Sequence, residues 1–383
     1  MLRNILNKLK PSFEKGARFG FLHSTFEAFE SFAFVPNTTT RSGAHVRDCN
    51  DLKRVMTVVI IALMPALFFG CWNIGYQHAH TFGVEMTFWG MWIYGFLRVL
   101  PIIIVSYVVG LGIEFTAAQL RGHEVNEGFL VTGMLIPLIM PVDVPLWMVG
   151  LATAFAVIIG KEIFGGTGMN IFNPALLARA FIFFSYPSHI SGDRVWVAGL
   201  QSPSAVEVTT GATPLAEAAA GHIDRLPSTA DLFFGLIPGS IGETSTLAAL
   251  IGAVILLYTG VASWKIMCAC VAGLLTTGFL MNWLAVNPYM SLPPYYHLLM
   301  GGFAFGAVFM ATDPVTAAQT ETGKWLYGFL IGTLTIFIRL FNEGYPEGMM
   351  LAILLMNAFA PLIDHYVVAA HIRRRLKRIP VNV

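Results

Sequence analysis

The sequence predicts an all-α polytopic membrane protein with a transporter-like plan: about ten transmembrane helices in two inverted repeats of five. Three observations predict it. First, 56% of the 383 residues are hydrophobic and only 12% are charged, with a mean hydropathy of +0.67. A water-soluble domain carries about 25% charge, so this chain cannot cover a water-facing surface and a lipid bilayer is its main solvent. Second, the apolar residues fall into stretches near the length of about 20 residues that a spanning helix needs. Third, Lys and Arg divide unequally between alternate connections, as the positive-inside rule requires.

The elements follow in order. Residues 1–54 form a charged N-terminal segment holding nine Lys and Arg. Met1 to Lys15 has no cleavable apolar core, so no signal peptide is expected. Five spans are predicted at 55–75, 90–119, 126–141, 144–163 and 172–186, making a first repeat over 55–186. A long polar connection at 187–244, rich in Ser, Thr, Ala and Gly, comes next. Connections of that length without structure are uncommon unless they carry a function. Five more spans, at 245–261, 264–285, 295–312, 324–340 and 346–370, make a second repeat over 245–370, before a basic tail at 371–383. Five spans on each side force the two halves into opposite orientation, the arrangement of inverted-repeat transporters. Asn173-Pro174 opens the fifth span and Tyr345-Pro346 opens the tenth.

With the N-terminus inside, eighteen Lys and Arg fall on the cytoplasmic side. They are the nine of the N-terminal segment, Arg121, Lys161, Lys265, Lys324 and the five of the tail. Only Arg194, Arg225 and Arg339 fall outside, while Arg98 and Arg179 lie within spans. Both termini are therefore expected in the cytoplasm and the 187–244 loop outside it. The net charge of +1 excludes a nucleic-acid binder that works by bulk electrostatics. Cys49, Cys71, Cys268 and Cys270 form no CxxC pair, so neither a disulfide framework nor an all-Cys metal site is expected. No His pair has ligand spacing on a predicted helix, and no Gly-x-Gly-x-x-Gly opens a dinucleotide-binding unit.

The residues with chemical promise are few. Thr210-Gly211-Ala212-Thr213-Pro214 reads as a hydroxyl-rich turn in the outside loop. Asn170 and Asn173 precede the fifth span; they offer amide donors and acceptors to a ligand, or Asn173 simply caps the helix. Acidic residues inside a membrane cost about 2.5–3.5 kcal/mol on insertion scales, so Glu114, Asp313 and Asp364 each require a reason. Hard carboxylate oxygens suit hard cations such as Na+. The structural alternatives are a turn or cap for Asp313, pairing with His365 or Arg373 for Asp364, and pairing with Arg98 or Arg121 for Glu114. Gly110 and Gly112 beside Glu114 would let a flat ring approach the backbone, or serve helix–helix contact through small residues. Arg179 needs a buried partner, either a bound cofactor or a carboxylate of a neighbouring subunit. A plain solute channel or transporter would have the same span pattern, because fold alone does not set function.

Motifs along nearly the whole chain carry a resemblance. They are Ser42-Gly43-Ala44-His45-Val46-Arg47-Asp48, His123-Glu124-Val125-Asn126-Glu127-Gly128, Gly165-Gly166-Thr167-Gly168-Met169-Asn170, Ile237-Pro238-Gly239-Ser240, Ala311-Thr312-Asp313-Pro314 and Tyr345-Pro346-Glu347-Gly348. With Thr210-Gly211-Ala212-Thr213, the chain resembles the B-type membrane subunits of the Na+-translocating NADH:quinone reductases. The related D-type component of the Rnf ferredoxin:NAD oxidoreductase shares the flavin motif but lacks the N-terminal segment.

The resemblance implies a bacterial inner-membrane component that works with the A, C, D, E and F components of the complex and is matured by a flavin transferase. It implies FMN joined to Thr213 by a phosphoester in a periplasmic loop, and riboflavin near Asn170 and Asn173. It implies ubiquinone near Gly110, Gly112 and Glu114, and a Na+ path along Asp364, Glu114 and Asp313. No side chain is assigned a catalytic role beyond the cofactors.

Overall fold

The computed structural model describes residues 2–13, 52–121, 128–200, 211–342 and 347–377, with a few single positions between 20 and 44. Thr210, His123 to Glu127, Tyr345-Pro346 and most of the 1–54 segment lie outside the described residues. The described residues form helices and no strand. In chain order they are α1 (Leu2–Phe13), α2 (Leu52–Phe82), α3 (Phe88–Arg121), α4 (Phe129–Leu138), α5 (Leu146–Val157), α6 (Pro174–Ser185), α7 (Pro214–Ala219), α8 (Thr229–Phe234), α9 (Thr246–Tyr258), α10 (Trp264–Leu284), α11 (Pro294–Leu299), α12 (Phe303–Phe305), α13 (Glu321–Phe341) and α14 (Met349–Leu376). Two π turns, Ile158–Glu162 and Gly306–Met310, extend α5 and α12.

Five of these helices, α2, α3, α10, α13 and α14, are long and apolar enough to cross a membrane. Helices α4, α6 and α9 are apolar but shorter. The predicted third span is cut at Leu138 because Pro141 disfavours helix just before it. The predicted eighth span is broken into α11, α12 and a π turn. Pro293 and Pro294 open it, and Gly301, at φ +65°, bends the chain where a side chain would be strained.

Helix α3 shows how lipid replaces water. Gly95, Val99, Ile102, Ser106, Gly110, Glu114 and Ala118 form its buried stripe. Trp89, Ile93, Leu97, Ile104 and Val108 are exposed on the other side. Both stripes repeat at helical spacing, but the outward one is as apolar as a core. Helices α10 and α13 pack backbone to backbone: a Cβ on Gly273 would strike the Phe329 carbonyl, and one on Gly332 the Cys270 carbonyl. Close approach through small residues is the usual basis of helix association where the solvent is itself apolar. The 187–244 connection is not structureless. It holds α7 and α8, and it buries Val195, Val197, Ala198 and Leu200.

Candidate functional site

Two clefts lie at opposite ends of α9. The larger, of about 80 Å³, sits at the C-terminal end of α9. Val55, Val131, Leu256 and Phe309 give it apolar walls, and Lys161, Asn170, Asn173 and Asp313 supply its polar points. Elements from both halves of the chain meet here. Asn173 caps α6, its Oδ1 accepting from the Ala175 and Leu176 amides at 3.0 and 3.4 Å. The cap consumes only the oxygen, so the amide donors of Asn173 stay available at the cleft wall. Asn170 donates Nδ2 to the Phe172 carbonyl at 3.1 Å, keeping its oxygen as an acceptor. Asn173 thus caps α6, and each asparagine still has an amide group facing the cleft. Across the cleft, Asp313 accepts from the Val315 amide at 3.2 Å and from Thr316 Oγ1 at 2.9 Å, so the expected turn is formed.

Glu114 is buried, and its partner is Lys161, itself 3% exposed, rather than Arg98 or Arg121. Arg121 instead pairs with Glu162 at 3.1 Å, and Arg98 faces Asp143 at 4.0 Å. Lys161 therefore leaves the solvated connection in which the charge pattern had placed it. The Ile158–Glu162 π turn carries it inward to line the cleft. Gly110 shares the buried face with Glu114, but the flat ring against it is Phe129 of this chain, which fills the place of a Cβ. Gly112 lies on the opposite, exposed face with nothing near it. The structure does not bring the two glycines to one surface, and only Gly112 leaves room for an outside ring.

Asp364 is half-buried and pairs with neither His365 nor Arg373 in the described contacts. Its carboxylate accepts from the Gln319 amide at 2.7 Å, the Thr320 amide at 2.9 Å and Thr320 Oγ1 at 2.6 Å. It anchors the turn that starts α13, where a helix N-terminus favours negative charge. Asp364, Glu114 and Asp313 do not converge: among the described residues no group of three acidic, His or Cys side chains is close enough to hold a metal ion.

The second cleft, of about 30 Å³, lies at the N-terminal end of α9 and is lined by Thr213, Ser240, Glu243, Gly301, Gly302 and Glu347 among others. Thr213 is half-buried and caps α7, its Oγ1 accepting from the Ala216 amide at 3.2 Å. Pro214 follows at the first helical position, where its missing N–H costs nothing. Gly211 is fixed by contact: a Cβ there would stand 2.6 Å from the Asp193 carbonyl oxygen. Ala212 is half-buried between them.

Beside Thr213 lies an ion cluster that sequence reasoning missed. Arg179 donates to Glu243 at 2.7 Å and to both oxygens of Glu347 at 2.5 Å. Its described partners are thus carboxylates of this chain. Arg339 is buried as well and donates to the His297, Met300 and Glu347 carbonyls at 2.5, 2.9 and 3.1 Å, closing the break after α11. It leaves the outside loop count, as Lys161 leaves the inside one, so the asymmetry of charge survives. Two signals pointed to these residues: Glu243 sits just before the sixth predicted span and Glu347 at the very start of the tenth, and Lys161 lies within the 144–163 stretch.

The helical, lipid-facing scaffold defines a polytopic membrane protein with a cleft at each end of α9. The chain belongs to the NQR2, RnfD, RnfE family, whose model matches residues 39–373. It is 45% identical to the B-type subunit of the Na(+)-translocating NADH-quinone reductase of Pseudomonas aeruginosa, covering 98% of this chain and 99% of that protein. The corresponding B-type proteins of Chromohalobacter salexigens, 47% identical over 98% of this chain and 96% of that protein, and of Azotobacter vinelandii, 45% identical over 99% of each, are similar throughout.

Proposed function

We propose that the chain is the flavin-carrying membrane subunit of a respiratory complex that oxidises NADH, reduces ubiquinone and exports Na+. The observation that carries this reading is the placement of Thr213 in one cleft and of Asn170 with Asn173 in another, at opposite ends of α9. A 13-residue helix separates them by about 20 Å. Relatives named as the B-type component of the quinone reductase match the chain from end to end, which favours that complex over the Rnf complex within the family.

The residues present fit the groups implied. Thr213 Oγ1 is an acceptor in its cap, so forming a phosphoester takes only the hydroxyl proton and keeps the bond from Ala216. Ser240 adds a hydroxyl to the same cleft, and Arg179 offsets the charge of Glu243 and Glu347. In the larger cleft, Asn170 and Asn173 present amide groups to the polar edge of a ring held between Val131, Leu256 and Phe309. FMN on Thr213 and riboflavin in the larger cleft supply the electron-transfer chemistry when bound; the protein orients them and sets their electrostatics. Ubiquinone is assigned to the exposed Gly112 side of α3, near Glu114. Na+ is assigned to carboxylates at Glu114, Asp313 and Asp364. The two halves read as inverted repeats of five spans: α3 packs on α5 in the first as α10 packs on α13 in the second, and α2 packs on α9 across the pair. The larger cleft then faces the cytoplasm of a bacterial inner membrane and the Thr213 cleft faces outward, within reach of a flavin transferase and of the A, C, D, E and F components.

The test is flavin fluorescence of the SDS-denatured chain in a gel, wild type beside Thr213→Ala, from a host with an active flavin transferase. A fluorescent wild-type band that is lost in Thr213→Ala is the expected result. A dark wild-type band, with a control protein flavinylated in the same host, overturns the covalent assignment.

A further inference from the structure

The two π turns among the described residues come one from each half of the chain, and both deliver a charge to the same cleft. Ile158–Glu162 brings Lys161, and Gly306–Met310 leads directly to Asp313. Such turns are rare and concentrate at functional sites. Lys161 stands between two surroundings. On one side Nζ holds the carboxylate of Glu114, which does not itself line the cleft; on the other it borders the cleft. A third side is closed by the Phe129 ring, whose centroid lies 6.0 Å away and whose slot exists because residue 110 has no side chain. Both members of the pair are about 4% exposed, so water cannot compensate either charge, and uncompensated charge is costly there.

We infer that Lys161 is a charge relay: its ammonium turns from Glu114 toward the ligand of the larger cleft when that ligand gains an electron, and a Na+ ion takes its place on Glu114. The inference rests on the reading above, in which that ligand is a flavin and the electron comes from NADH through the neighbouring subunits. The balance is simple. One electron adds one negative charge in the cleft, one Na+ adds one positive charge at Glu114, and Lys161 keeps its proton. No covalent bond forms or breaks, and the buried region stays neutral overall. Electron arrival and cation uptake are thereby coupled through one side chain, without the cation touching the flavin.

The test is a redox titration of the purified complex, in NaCl and in choline chloride. The signal of the extractable flavin is identified as the absorbance missing from an Asn170→Ala/Asn173→Ala complex. In the wild type, each tenfold rise in Na+ favours the reduced form up to tenfold, which for one electron is up to about 59 mV. Glu114→Gln frees Lys161 permanently, so without Na+ its potential already matches that of the wild type at saturating Na+, and it no longer responds to Na+. Glu114→Gln/Lys161→Met removes the ammonium from a neutral, repacked pair. Its potential falls to the Na+-free wild-type value and is likewise insensitive. Equal potentials in the single and double variants overturn the relay. If Glu114→Gln does not assemble, the double variant decides alone, because a retained Na+ response refutes the proposal. A flavin present in the wild type but insensitive to Na+ overturns the relay and leaves the functional reading intact. A wild-type complex without extractable flavin overturns both.

Discussion

A buried guanidinium demands a carboxylate, and Arg179 shows what a single residue can and cannot disclose. That it needed a partner was legible from its position inside an apolar stretch. Its partners were not, because Glu243 and Glu347 are 64 and 168 residues away and no local pattern joins them. Replacing Arg179 by Met takes from Glu243 and Glu347 the buried guanidinium they share, so the chain is expected to lose up to about 3–5 kcal/mol. Thermal unfolding in detergent reads this as a lower melting temperature, most of which Glu243→Gln and Glu347→Gln restore in the triple variant. Unchanged melting of Arg179→Met would mean that the cluster contributes little. Asp364 raises a different question, because it already accepts three hydrogen bonds at the start of α13. Asp364→Asn removes the charge but keeps an acceptor for Thr320. Wild-type Na+-dependent quinone reduction in this variant would take Asp364 off the Na+ path and leave it as an anchor.

Among the elements, the long helices were legible and the broken ones were not. Apolar run length predicts α2, α3, α10, α13 and α14 because nothing interrupts them, and each passes the test for a spanning helix. Hydropathy is blind to a π turn, since one extra residue in a turn leaves composition unchanged, and so α5 and the segment after α12 were read as plain helix. The two faces of α3 illustrate the same limit. Gly110 and Gly112 are neighbours in sequence, yet they sit on opposite sides of the helix and differ in what surrounds them. Gly110→Ala must displace the Phe129 ring, and overpacking of that kind costs about 1–3 kcal/mol. Gly112→Ala meets open space and gains helix propensity, up to about 1 kcal/mol in favour of Ala. Melting of the two variants side by side checks this. Equal behaviour would contradict the face assignment and the slot that borders Lys161.

At the scale of the whole molecule, the number of crossings decides whether the two clefts open to opposite sides. Residues 220 and 375 are both exposed, one just after α7 and the other near the end of α14. Between them lie α9, α10, the broken unit of α11, α12 and the π turn, α13 and α14. Four of these are continuous helices, although α9 has only 13 residues, and the fifth is interrupted at Gly301. Five crossings place residues 220 and 375 on opposite sides of the membrane, whereas four place them on the same side. On the reading proposed above, the basic tail, with Arg373, Arg374 and Arg375 on its last helical turn, lies in the cytoplasm, as its charge favours. The loop that carries Thr213 must therefore lie outside if the broken unit spans the bilayer. In a background lacking native cysteines, Ala220→Cys is expected to react with a membrane-impermeant maleimide in intact cells, and Arg375→Cys only after permeabilisation. Protection of both until permeabilisation would make the broken unit a re-entrant segment. Thr213 would then face the cytoplasm, on the same side as the tail, and the two ends of α9 could not serve opposite faces of the membrane.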